Sequence, residues 1–251
     1  MKNWFRRKSD SDPIILDCYT DSEEIFTFAK PNNGKHFIPE WFKKTPRVDD
    51  KGITTIKKCP AVVDYYRKGI IIPCWGEIDL TLFAIQDTED FKFVSVSERF
   101  GFSGTHTQEQ FPAFAGRTGY NAKFTAPWKL RCNEPIQFSY SQPFWSNRDL
   151  LVDLHLMPAV MDFQSQHGIE LNYFFEKTSR RKDFNIQPLT PLAILHPLSP
   201  RPVEVRHHLI TPESWRAQFQ LGWGIFDTTK SNWLSEKKKF VKKWQEIENN
   251  S

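Results

Sequence analysis

Leu192-Ala193-Ile194-Leu195-His196-Pro197-Leu198-Ser199-Pro200-Arg201-Pro202-Val203-Glu204-Val205-Arg206-His207-His208-Leu209-Ile210 is the stretch that decides the fold class. Two short apolar runs, Leu192–Leu198 and Val203–Ile210, are split by a segment with prolines at 200 and 202. In the second run Val203, Val205, His207 and Leu209 alternate with Glu204, Arg206 and His208. That period of two matches the pleat of a strand with one face buried and one face wet. Proline has no N–H to give a ladder, so it belongs at the boundaries of such runs.

The same pattern extends outward from this stretch. Ile78, Leu80, Leu82 and Ala84 alternate with Asp79, Thr81 and Phe83 in the run Glu77–Gln86. Further strands are predicted at residues 14–19, 24–29, 70–75, 91–97, 122–125, 128–132, 136–141, 159–163, 170–176 and 184–187. About a dozen short strands with proline-rich turns predict a mainly β fold, an antiparallel β-sandwich or a jelly-roll or β-clip-like domain. Short helices are expected at residues 39–43 and 60–68. In the second, Pro60 suits the first helical position and Gly69 a left-handed residue that ends the helix. Thr211-Pro212-Glu213-Ser214 has the order of a helix start and opens a C-terminal helical extension. The expected organisation is a basic tail over residues 1–12, a β-rich domain over 13–210 and the extension over 211–251.

The charge is unevenly distributed. Lys and Arg number 34 against 30 Asp and Glu, a formal +4 over 251 residues. The first eight residues carry +4 and the segment from Thr229 to the end +3, which leaves −3 for the body between them. A body of that sign does not grip a phosphate backbone, so nucleic acid is expected only at the basic ends. Cys18, Cys59, Cys74 and Cys132 form no C-x-x-C pair, and the spacing fits neither a zinc ribbon nor a redox motif. The N-terminal charges are not followed by the apolar stretch of a signal peptide, and no window suits a membrane span. A soluble, cytoplasmic protein not secreted by a signal peptide is expected.

No P-loop, G-x-G-x-x-G, G-x-S-x-G or H-E-x-x-H motif is present. The histidines are the first residues to weigh. His196 falls in line with Leu192, Ile194 and Leu198, and His207 shares a face with Val203 and Val205. On adjacent core strands the pair could hold an ion with Asp162 or His155, although the chain lacks the His-x-Asp/Glu of a facial triad. A hydrogen-bonded core histidine is the simpler reading, and no cofactor is expected. His106 and Gln110 lie in a Gly- and Thr-rich loop, residues 101–120, of a length that suits a ligand clamp. Trp128 and Trp145 offer rings for stacking on a ligand, against the alternative of plugging the core. Trp233, Phe240 and Trp244 form a stripe beside Lys237, a candidate surface for a partner protein.

Several short motifs recur together in order. They are Lys58-Cys59-Pro60-Ala61-Val62-Val63-Asp64-Tyr65-Tyr66-Arg67-Lys68-Gly69 with Ile72-Pro73-Cys74-Trp75, Lys123-Phe124 with Pro127-Trp128, and Pro143-Phe144-Trp145. Thr190-Pro191-Leu192-Ala193, His196-Pro197-Leu198 and Arg206-His207-His208-Leu209 complete the set. With them the chain resembles, over residues 13–215, a family of proteins of unassigned activity encoded by tailed phages of marine cyanobacteria and related bacteria. The resemblance implies a phage origin, with the host cytoplasm or a virion as the expected location, and no catalytic residues. Ala159-Val160-Met161-Asp162, Leu171–Phe175 and Leu192–Leu195 are also similar in strand order to dUTPase-like folds. That similarity implies Asp162 as a base, although the Arg-Ser-Gly and Asp-x-Gly motifs of those folds are absent. The expected role is a non-enzymatic binding or structural accessory module acting on another phage or host protein. The alternatives are a divergent dUTPase-like nucleotide enzyme and a metal-dependent oxygenase.

Overall fold

The computed structural model describes residues 12–84, 91–95, 103–104, 117–146, 154–164, 166–176 and 182–220. The chain is mainly β, and the described residues form three sheets and a few short helices. The largest sheet has the order β14 (Val203–Leu209), β1 (Ile14–Thr20), β7 (Arg117–Cys132), β11 (Gly168–Glu176), β9 (Leu154–Leu156), and β6 (Ser103–Gly104) also pairs with β7. The second has the order β10 (Ala159–Asp162), β8 (Gln137–Ser141), β13 (Pro191–Pro197), β3 (Ile70–Pro73), β2 (Asn32–Asn33). A third joins β12 (Lys182–Ile186), β4 (Ile78–Ala84) and β5 (Phe91–Ser95).

The first two sheets share one core, as a sandwich requires. Leu16, Cys18, Phe124, Leu130, Leu171 and Tyr173 from the first meet Ile70, Ile72, Phe138, Tyr140 and Leu195 from the second. The polar tips of the two buried tyrosines are satisfied across that interface. Tyr140 Oη donates to Glu170 O at 3.2 Å, and Tyr173 Oη donates to Leu192 O at 2.5 Å. Ile78, Leu80 and Ile186 extend the same core from the third sheet. None of the four cysteines forms a disulfide. Burial pushes the Cys74 thiol up to about 11 and raises Cys18 as well, which keeps both as inert thiols.

Among the described residues, pairing is antiparallel with one exception. β14 runs parallel to β1, from Ile14 opposite Val203 to Thr20 opposite Leu209. The two strands of the deciding stretch therefore belong to different sheets, and the segment between them carries the chain from one layer to the other. Arg201 fastens that segment. Its guanidinium holds Glu134 with both terminal nitrogens, at 2.6 and 3.3 Å, and donates to the Asp12 and Pro13 carbonyls.

Four local expectations are corrected. Residues 23–28 form α1 (Glu23–Phe28) in place of a strand, because the Ser22 side chain accepts from Ile25 N–H and Glu23 and Glu24 occupy the first turn. The two strands expected at 122–125 and 128–132 are one strand, β7, with the ladder to β11 shifted where Pro127 lies. Residues 103–104 and 117–120 of the long loop are strand. Gly69 does end α3 (Pro60–Lys68), but with φ −73°. Its role is close approach, since a Cβ there would stand 2.4 Å from Ile194 Cδ1 and 2.7 Å from Tyr65 O. The expected helix at 39–43 is α2 (Glu40–Lys44). The C-terminal one begins as α4 (Pro212–Trp215) with the Thr211 hydroxyl capping Ser214 N–H.

Candidate functional site

The outer face of the six-stranded sheet is where the polar chemistry gathers. Inward-facing Cys18, Trp128 and Leu130 leave Asp17, Tyr19 and Lys129 pointing the other way. Register sets Asp17 between Arg206 and Arg131, and Tyr19 between His208 and Lys129. On the β11 side Lys129 faces Gly168, Thr125 faces Glu170 and Lys123 faces Asn172. The outer face of a sandwich is ordinarily solvated. Here Asp17, Thr125, Lys129 and Asn172 are buried, four of the five buried polar or charged residues among those described.

A strap closes one end of this face. α4 runs on as a wide turn, Arg216–Gln220. The Phe219 ring packs on Tyr19 at 5.5 Å and on His167 at 5.6 Å, and Trp215 packs on Phe219 at 5.3 Å. Lys129 Nζ sits 5.8 Å from the Trp215 ring centre, within cation–π range. His208 stacks on Tyr19 at 4.6 Å and meets Asp17 Oδ1 through Nε2 at 2.7 Å.

Lys129 is the anomaly. Burial pushes its pKa down, Glu170 partly offsets this, and Lys123 adds to it. Glu170 is engaged through one oxygen only: Oε2 accepts from Thr125 Oγ1 at 2.7 Å and pairs with Lys123 Nζ at 3.1 Å. Among the described residues, Lys129 Nζ has no hydrogen bond or ion pair, nor has Glu170 Oε1. Most of the Lys129 residue is covered, while its ammonium has no protein acceptor among the described residues, which leaves that donor open to a ligand.

The residues singled out in the sequence are mostly elsewhere. Trp128 is a core plug whose indole N–H donates to Ala29 O at 2.8 Å. His207 packs on Trp128 at 5.7 Å and bonds the Pro31 carbonyl at 2.6 Å, so the two together fix the loop after α1. His196 lies in the other sheet, under α3, with Nε2 on the Tyr65 carbonyl at 3.0 Å. The two histidines are thus on strands of different sheets, each with its own carbonyl. Among the described residues no three His, Cys, Asp or Glu side chains gather as a set able to hold a metal ion. Asp162 ends β10, where its Oδ1 accepts from Gln164 N–H at 3.0 Å. Trp145 joins an aromatic group with Trp41 and Phe144, and its carbonyl accepts from the Trp41 indole at 3.1 Å. His106, Gln110, Trp233, Lys237, Phe240 and Trp244 lie outside the described residues.

Sequence reasoning missed Lys129, Gly168 and Glu170. Alternation beside Trp128 and Leu130 puts Lys129 outward, but only the pairing register brings Gly168 opposite it. Among the described residues no helix is long and apolar enough to cross a membrane. No family model, curated protein or solved structure matches the chain.

Proposed function

We propose that the protein is a phage-encoded binding module, non-enzymatic, that receives its ligand on the outer face of the six-stranded sheet. The observation that carries this reading is the concentration of buried polar side chains on that face around a lysine that has no hydrogen-bond partner among the described residues. Binding sites are where desolvated polar groups are tolerated, because a ligand completes their hydrogen bonds. The phage origin rests on the motif resemblance, and contact with a phage or host protein is assigned to the C-terminal stripe of Trp233, Phe240 and Trp244 with Lys237.

The competing nucleotide-enzyme reading needs Asp162 as a base within reach of other ionisable groups. That carboxylate accepts from Gln164 N–H at the turn after β10, and the buried polar side chains gather instead on the outer face of the six-stranded sheet, which favours the binding reading. Thermal unfolding with each nucleoside triphosphate discriminates the two. The binding reading expects no nucleotide-dependent shift in midpoint and no turnover. A shift abolished by Asp162→Asn would establish the enzyme instead.

A further inference from the structure

We infer that the gap above Gly168 is a subsite for a hydroxyl group of a neutral sugar, an assignment that rests on the binding reading and specifies its ligand class. A Cβ placed on Gly168 would stand 3.4 Å from Lys129 Nζ and 3.6 Å from Glu170 Oε1. The absent side chain therefore leaves a cradle bordered by one donor and one acceptor. Neither atom has a hydrogen-bond or ion-pair partner among the described residues, and they do not pair with each other.

The chemistry of that pair selects the guest. An anion would satisfy Lys129 and be repelled by Glu170 Oε1. A cation would satisfy Glu170 and be repelled by Lys129. A hydroxyl accepts from the ammonium and donates to the carboxylate oxygen at once. The surroundings extend the match beyond a single hydroxyl. Trp215, close to Lys129 Nζ, supplies an apolar ring of the kind that covers the C–H face of a sugar. Thr125 and Asn172 continue the polar rows beside it. Gly168 and Glu170 are only half-buried, so the cradle is open to solvent.

Gly168→Ala tests the assignment with little disturbance of the fold, since both distances are ordinary van der Waals contacts. The full-length protein is titrated calorimetrically with D-glucose, D-galactose, N-acetyl-D-glucosamine and D-ribose in turn, and with inorganic phosphate. At least one sugar is expected to bind the parent protein. Its affinity should fall about tenfold or more in Gly168→Ala, with the unfolding midpoint unchanged. Lys129→Met removes the donor and should abolish binding in the same way, which keeps the test decisive if the alanine variant is poorly folded. Absence of binding by all four sugars overturns the inference, as does equal affinity in the parent and both variants. Phosphate binding lost in Lys129→Met, with no sugar binding, would refute the hydroxyl assignment and leave the binding face itself intact.

Discussion

His196 and His207 show what a single side chain contributes here. Each imidazole is pushed toward its neutral form chiefly by burial, against the opposing effect of a carbonyl hydrogen bond; Lys30 and His208 push His207 further in the same direction. The folded protein therefore binds fewer protons than the unfolded chain once the pH falls below about 6.5. Stability should decline as pH drops through that value and continue to decline until the folded-state groups titrate. Urea midpoints measured at intervals from about pH 7.5 to 5 should fall in the parent and fall less steeply in His196→Gln. A parallel slope in the variant would contradict the assignment. Alternation alone put both histidines on apolar faces of their strands. Their acceptors, Tyr65 O and Pro31 O, lie 131 and 176 residues away in sequence, and no local pattern could supply them. Lys129 was hidden for a related reason. A lysine between Trp128 and Leu130 looks like an ordinary solvated position until β11 and the Trp215 strap are set against it.

At the scale of elements, legibility tracked how local the deciding interaction is. α3 was readable to the residue because Pro60 fixes its start and the chain beyond Lys68 turns at once into β3. Residues 24–29 were misread because Ile25, Phe26 and Phe28 favour a strand, while the Ser22 cap and two first-turn glutamates decide for helix. The parallel partnership of β14 and β1 joins the two ends of the domain, which no spacing announces. The crossing segment makes that partnership possible, and its Arg201–Glu134 pair is largely buried, with 12% and 15% of the two side chains exposed. Arg201→Met leaves Glu134 without its cation and should cost about 3–5 kcal/mol. Replacing both partners with methionine should recover much of that loss. Equal denaturation midpoints for Arg201→Met and the parent would show that the prolines alone hold the crossing.

For the whole molecule, a shared apolar interior between two sheets explains why polar groups are pushed to the outer surfaces, and it leaves unexplained why several of them are nonetheless buried there. We propose a ligand as the reason: on the face of β1, β7 and β11, Lys129 Nζ and Glu170 Oε1 have no partner among the described residues, and a guest would complete both. Fold class followed from strand periodicity, since alternation is written along each strand. The candidate site did not, because it is assembled across three strands and a strap from far-apart positions. Amide and indole chemical-shift mapping of the isotopically labelled full-length protein, with the same four sugars added in turn, tests the claim most directly. Perturbations are expected to centre on Lys129, Gly168 and Glu170 and on the Trp215 indole. Perturbations centred on Asp162 or on the Trp41–Trp145 group, or none with any of the sugars, would contradict it.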